Sequence, residues 1–446
     1  MENALFEKVP VPKAYMTLAL PVVFSMMVTL IYNMVDTWFI ALTGVTELVA
    51  GTSLVVPIFT MMIAFGDIFG LGGASLISRL FGEKRDAEAK QTCAFCFWAA
   101  IAFGLAVTFM LLLFRTPILT VLGADASTMQ HSSGYYTWIA VGAAAIILGL
   151  VPSNLLRTEG LAKQAMFGSI LGSVANIILD PIFIFVLGQG AAGAAMATVL
   201  GNILADCYYA YAVVKYSRRL SISLGDIRLN GHLPGIGMIR SILVIGIPAS
   251  ITNLMQSFMI MMTNKYLLPY GTDKIAAMGI AMKVNMITML ILVGFAFGGQ
   301  PLIGYNYGAR NQKRLKEILR FAYIFMAGAA VVLSAVMCLF APAIIGFFMQ
   351  DVSIIEHGAL MLRFQQMGML FMAVTLVSTC VCQSVGNALG AFALSISRQG
   401  VIYILVLAAM STLAGYQGVL VSQAIADLLT AAMALVIIRG FMKKIK

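Results

Sequence analysis

Residues 217–238 read SRRLSISLGDIRLNGHLPGIGM. This is the longest polar stretch of the chain, and its Gly and Pro residues argue against a helix running through it. Apolar runs of about 20 residues or more, long enough to cross a bilayer, lie on both sides. Before it they fall near 14–41, 51–79, 93–114, 134–156, 166–187 and 191–215. After it they fall near 240–268, 275–305, 318–341, 359–383, 395–414 and 417–440. The expectation is an all-α integral membrane protein with twelve transmembrane helices in two six-helix bundles. An N-terminal lobe (1–215), a cytoplasmic linker (216–239) and a C-terminal lobe (240–446) make up the chain.

Composition points the same way. Of 446 residues, 61% are hydrophobic and 10% charged, with a mean hydropathy of +0.96. A soluble globular chain has about 25% charged residues, so lipid has to solvate most of this surface. The net charge of +10 is spread in short clusters between apolar runs, with no basic face interleaved with aromatics. That distribution excludes nucleic acid as a partner. The N-terminal MENALFEKVPVPK has no cleavable signal pattern, so the first apolar helix is expected to stay. Cys93 and Cys96 have redox-motif spacing but lack a βαβ context or a second ligand pair. All six cysteines therefore read as small packing residues in reduced form.

The basic residues orient the spans. Of 28 Lys and Arg, 23 fall on one side, including Arg79, Lys84, Arg85, Arg157, Arg218, Arg219, Arg398, Lys444 and Lys446. The positive-inside rule then places both termini in the cytoplasm; the inner membrane of a prokaryote is the expected location. Arg115, Lys265, Lys274, Lys283 and Arg363 fall elsewhere.

The two halves repeat. Pro21 matches Pro248, Met34 matches Met261 and Gly44 matches Gly271 at an offset of 227. Gly73 matches Gly299, Ile77 matches Ile303, Gly82 matches Gly308 and Gly160 matches Gly386 at 226. Six spans per half is even, so the repeat is parallel, a pseudo-two-fold about an axis along the membrane normal. Two such lobes suit an alternating-access transporter better than a channel.

Against this apolar background stands ANIILDPIFIF, residues 175–185. Asp180 lies about 10 Å from the outer end of its helix, at 1.5 Å per residue. By the same count Asp36 lies about 8 Å, and Thr198 about 10 Å, from the outer ends of theirs. Asn176 is one turn from Asp180 on the same face. These oxygens share one depth in one lobe, and they can hold a proton or ligate Na+ together with waters. Intramembrane acids are costly, so a functional reading comes first. The second half has no counterpart: Asp36 maps to Thr263, and Asp180 maps near Val406. The ion chemistry is therefore expected in the N-terminal lobe alone.

Other polar groups carry weaker signals. Asp67 and Asp206 lie toward inner helix ends, Asp427 nearer the midplane, and Glu159 reads as half of a solvated ion pair with Arg157. Lys265, Lys283 and Arg363 read as snorkelling cations. Tyr32, Asn33, Gln256, Lys283 and Gln300 are the candidate lining of a substrate cavity, and Pro21 and Pro181 the candidate helix-bending residues.

Three stretches then carry a family resemblance: LPVVFSMMVTLIYNMVDTWFI (20–40), RTEGLAKQAMFGSILGSVANIILDPIFIF (157–185) and GGQPLIGYNYGARN (298–311). With them the whole chain resembles the multidrug and toxic compound extrusion (MATE) family. The resemblance implies a V-shaped pair of six-helix bundles acting as a monomer. It also implies efflux of small amphipathic, mostly cationic organic compounds in exchange for H+ or Na+, with no other cofactor. In the DinF-like branch the ion-coupling group matches Asp36, Asn176, Asp180 and Thr198 here, with Na+ as the one metal implied. The NorM-like branch uses acids in helices seven and ten, where this chain has Asn253, Gln256, Thr263, Asn264, Gln365, Gln366 and Gln383. The alternative within transport is a flippase or exporter of a lipid-linked or anionic metabolite. An enzyme is excluded because His131, His232 and His357 lie in three different loops with no metal spacing.

Overall fold

A computed structural model describes residues 4–124, 129–348 and 351–444, nearly all of them helical. Lys446, counted above among the cytoplasmic cations, lies outside the described residues. The first half contains α1 (Val11–Ala41), α2 (Thr46–Gly82), α3 (Asp86–Leu113), α4 (Met129–Val141), α5 (Ala143–Thr158), α6 (Ala162–Pro181) and α7 (Gly190–Tyr216). The second contains α8 (Ile236–Leu267), α9 (Thr272–Gly308), α10 (Gln312–Leu339), α11 (Val352–Met367), α12 (Met369–Ser384), α13 (Ala388–Ile396) and α14 (Ile402–Lys444).

Among the described residues nine helices are long and apolar enough to cross a membrane, and eleven when each of two bent pairs is one span. Ala388–Lys443, counted once, is 56 residues long, roughly 84 Å at 1.5 Å per residue and far beyond a hydrocarbon core of about 30 Å. Its backbone leaves the helix at Gly415 (φ 53°, ψ −130°), which divides it into two spans. That restores the expected twelve.

The repeat is visible in the backbone as well as in the letters. The two bent pairs are α4–α5, turning 49° at Gly142, and α11–α12, turning 43° at Gly368. These glycines are 226 residues apart. Lys84 and Arg310, also 226 apart, both have positive φ (61° and 52°). By contrast, α1 and α8 run on through Pro21 and Pro248.

Packing divides the chain into two units, and neither break falls in a loop. One unit is Phe24–Ser250; the other is Met1–Val23 with Ile251–Lys446. The breaks cut α1 and α8 in mid-helix, 227 residues apart, at repeat-related positions. Small residues explain the assignment. In one unit a Cβ on Gly298 would lie 2.3 Å from Ala19 Cα, and one on Gly294 2.8 Å from Val23 Cα. In the other, a Cβ on Gly72 would lie 2.3 Å from Ile242 O, and one on Gly246 2.0 Å from Ile68 O. Gly72 and Gly298 are repeat partners, so one backbone-close seam is used twice, joining the first half of α1 to α9 and the first half of α8 to α2. Such small-residue contacts let membrane helices approach where apolar burial gives no drive.

The stretch around 298–311 also anchors the chain's beginning. Tyr305 Oη donates to Glu7 Oε1 (2.7 Å), the Phe6 and Tyr305 rings stack at 4.9 Å, and Arg314 Nε donates to Phe6 O (2.6 Å).

The linker is folded too. Leu229–His232 forms a hairpin bridge whose central residues, Asn230 and Gly231, have φ of 52° and 81°. An Asn-Gly pair suits that turn because both central residues need positive φ. Glu159 does not form the solvated pair expected with Arg157. Its Oε1 accepts from the backbone N–H groups of Arg218 (2.9 Å) and Arg219 (3.2 Å), and its Oε2 from the Ser217 hydroxyl.

Candidate functional site

Within the unit Phe24–Ser250, α6 and α7 cross almost backbone to backbone. A Cβ on Gly172 would lie 2.8 Å from Gly201 O, and one on Gly201 would lie 2.7 Å from Gly172 O. Asn176 and Asp180 follow Gly172 at four-residue steps, and Thr198 precedes Gly201 by three. The crossing therefore turns all three side chains into one space. Asp180 is fully buried (0% exposed), with Asn176 and Thr198 close behind at 2% and 6%.

The Asn176 amide bridges the other two. With each amide atom facing a suitable partner, Nδ2 donates to Asp180 Oδ2 (3.2 Å), while Oδ1 accepts from the Thr198 hydroxyl (3.2 Å) and backbone N–H (3.1 Å). Asn202 in turn donates to Thr198 O (2.8 Å). Asp36 reaches in from α1. Its carboxyl is within hydrogen-bond reach of Asp180, and its buried Oδ1 has no partner. Two carboxyls can bond to one another only by sharing a proton, so this pair is a place where one proton can sit. The four residues selected from depth in the sequence thus meet.

Tyr32, one turn before Asp36, and Tyr135, on α4, lie within electrostatic reach of both carboxyls. Tyr32 was expected near a substrate; Tyr135 was not foreseen, because a lone tyrosine near a helix end reads as part of an ordinary interfacial belt.

One turn further along each helix the site is closed by apolar packing. Ile40, Ile184 and Ala194 stand four residues from Asp36, Asp180 and Thr198, and they cluster with Leu48 and Ala191 against Phe39 and Tyr135. Ile184 lies in the π-helical turn Ile182–Val186 that follows Pro181.

The remaining cavity candidates fall in both units. Asn33 is exposed and donates to its own helix at Thr29 O (2.9 Å). In the other unit Lys283 is exposed, Gln256 Nε2 faces Met289 Sδ at 3.7 Å, and Gln300 is buried and donates to Gln383 Oε1 (3.3 Å). The second half lacks an acid site at the equivalent place. Thr263, at the position of Asp36, instead shares a 2.6 Å hydrogen bond with Tyr403.

A buried charge pair sits elsewhere in that unit. Arg398 was expected among the cytoplasmic cations, yet it is 7% exposed and its Nη1 lies 3.5 Å from Asp427 Oδ1, which also accepts from Gln423 (3.1 Å). Among the described residues no three His, Cys, Asp or Glu side chains converge as a metal cluster.

Comparison with known proteins supplies the context. The MatE family pattern matches residues 21–182 and 248–409, two segments again 227 apart. The chain is 30% identical over 433 residues to the multidrug export protein MepA of Staphylococcus aureus (strain NCTC 8325 / PS 47), covering 97% of this chain and 94% of that one. It is 28% identical over the same length to the MepA of Staphylococcus saprophyticus. Among solved structures it is similar to an outward-facing multidrug resistance MATE family transporter of the MOP superfamily, with a TM-score of 0.93 and 25% identity over 100% of this chain and 98% of the other. It is equally similar to a MOP superfamily transporter from Pyrococcus furiosus, described as having a binding pocket of reverse polarity (TM-score 0.92, 25% identity, 100% and 98% covered).

Proposed function

The chain belongs to the MatE family, and from that premise we propose that it is a multidrug exporter of the DinF-like branch. It moves small amphipathic, mostly cationic organic compounds out of a prokaryotic cell across the inner membrane, by antiport and as a monomer. The observation that carries this reading is the convergence of half-buried Asp36 with buried Asn176, Asp180 and Thr198 beneath an apolar cover. The ion binds there from outside, favours outward release of the substrate, and leaves to the cytoplasm when access alternates.

Of the two coupling ions, H+ suits the arrangement better. Asp180 already has the Asn176 amide as a donor, and the Asn176 oxygen is taken by Thr198. Few free oxygens remain to replace the hydration shell of Na+, whereas a proton needs only the two carboxyls.

The test is uptake of a fluorescent organic cation into proteoliposomes under an imposed pH gradient or an imposed Na+ gradient. Uptake driven by the pH gradient, and lost in Asp180→Asn, is expected. Uptake driven by Na+ alone would reassign the ion. Absence of uptake under both, with folded protein, would move the substrate toward the lipid-linked or anionic class.

A further inference from the structure

The linker is built onto α3. Gln91 Nε2 donates to Ile227 O (2.9 Å) and to His232 O (3.2 Å), and Trp98 Nε1 donates to Ile222 O (2.8 Å). Lys90 pairs with Asp226 (3.3 Å), and Arg219 Nε donates to Asp86 Oδ1 (3.1 Å) while its guanidinium lies 3.8 Å from the Phe81 ring centroid. These contacts fix the hairpin against the helix, and they leave a groove between the two. It measures about 340 Å3 and is lined by Phe95, Trp98 and Ala99 of α3, by Ile227 and Leu233 of the linker and by Ile239 in the first turn of α8.

Its chemistry is mixed in a definite order. The lining is apolar; Leu233 within it is 63% exposed, and Ile236, three residues on, is 85% exposed. Two lining residues are each followed directly by a cation, Arg228 after Ile227 and Arg240 after Ile239. Both arginines are exposed, and neither forms an ion pair among the described residues. The nearby acids are already compensated, Asp226 by Lys90 and Ser221 and Asp86 by Arg219.

The depth fits a membrane surface. Lys90 is the last charged residue of α3, and Trp98 stands eight residues further in, about 12 Å. Tryptophan favours that level, and exposed apolar groups beside unpaired cations mark contact with anionic lipid.

We propose that this groove binds one anionic phospholipid of the surrounding bilayer, with an acyl chain against Trp98 and Leu233 and the phosphate on Arg228 and Arg240. A zwitterionic lipid fills the groove equally well but carries its own cation to the two arginines. The preference for the anionic headgroup is therefore electrostatic, roughly ten- to thirty-fold for two basic contacts.

The purified full chain, exposed to equal amounts of phosphatidylglycerol and phosphatidylcholine, is examined for retained lipid by native mass spectrometry. The wild type is expected to keep one phosphatidylglycerol in preference. Arg228→Gln with Arg240→Gln should erase the preference while leaving a lipid bound. Leu233→Glu, on an exposed side chain that leaves the fold intact, should remove the retained lipid of either kind. An unchanged lipid ratio in the arginine variant, or unchanged retention in Leu233→Glu, overturns the proposal.

Discussion

Asp180 has an amide donor at one oxygen and a second carboxyl within reach. Replacing it with Asn keeps the size and removes the charge, so folding should survive and coupling should not. The expected outcome is a drop of gradient-driven uptake to the level of empty liposomes, with an unchanged elution profile; coupling that persists would place the ion elsewhere. Arg398 and Asp427 illustrate the opposite kind of buried charge, one held by an internal partner. Removing one member strands the other, at a cost of about 3–5 kcal/mol. Arg398→Ala should therefore unfold at a markedly lower temperature, whereas Arg398→Met with Asp427→Leu should recover much of the loss. That the candidate site residues lie together was legible because oxygen ligands on three helices counted to one depth. Burial of Arg398 was not, since a lone cation between two apolar runs reads equally well as a loop residue.

At the scale of helices, the proposed ion site depends on the close approach of α6 and α7 at Gly172 and Gly201. A larger residue there pushes the helices apart and withdraws Thr198 from Asn176. Gly201→Val is expected to lower thermal stability and to abolish coupling together, unlike Asp180→Asn, which separates the two; scanning melts beside transport assays would tell them apart. The apolar cover makes a different prediction. Ile184→Ala opens space one turn from Asp180 without touching a site oxygen, so ions should enter without exchange. Proteoliposomes bearing it should dissipate a pH gradient faster than wild type in the absence of substrate, and an unchanged rate would argue that Ile184 does not seal the site. Glycines such as Gly72 and Gly298 could be read from the sequence as repeat markers. Their role as contact points could not, because hydrophobic periodicity identifies a buried face and is silent on which helix covers it.

For the whole molecule, the twelve spans and their six-plus-six division followed from apolar run length and one polar linker. The exchange of Val11–Val23 and Ile236–Ser250 between units did not, since nothing in a continuous helix signals a change of partners along its length. The exchange implies that neither half is self-sufficient. Cut at the exposed turn between Asn230 and Gly231, the chain should yield two fragments that co-purify when expressed together and fail to accumulate when expressed alone. Stable, separate fragments would contradict the packing described. The same wiring constrains how the protein is made. The first thirteen residues of α1 leave the ribosome early, yet the glycines that receive them, Gly294 and Gly298, are translated about 270 residues later. At roughly 5–20 residues per second the opening helix waits on the order of 14–55 s for its permanent neighbour, so its birth in the membrane is a period of guardianship, and whatever shelters that half-helix in the interval is as necessary to the finished transporter as any residue in its proposed ion site.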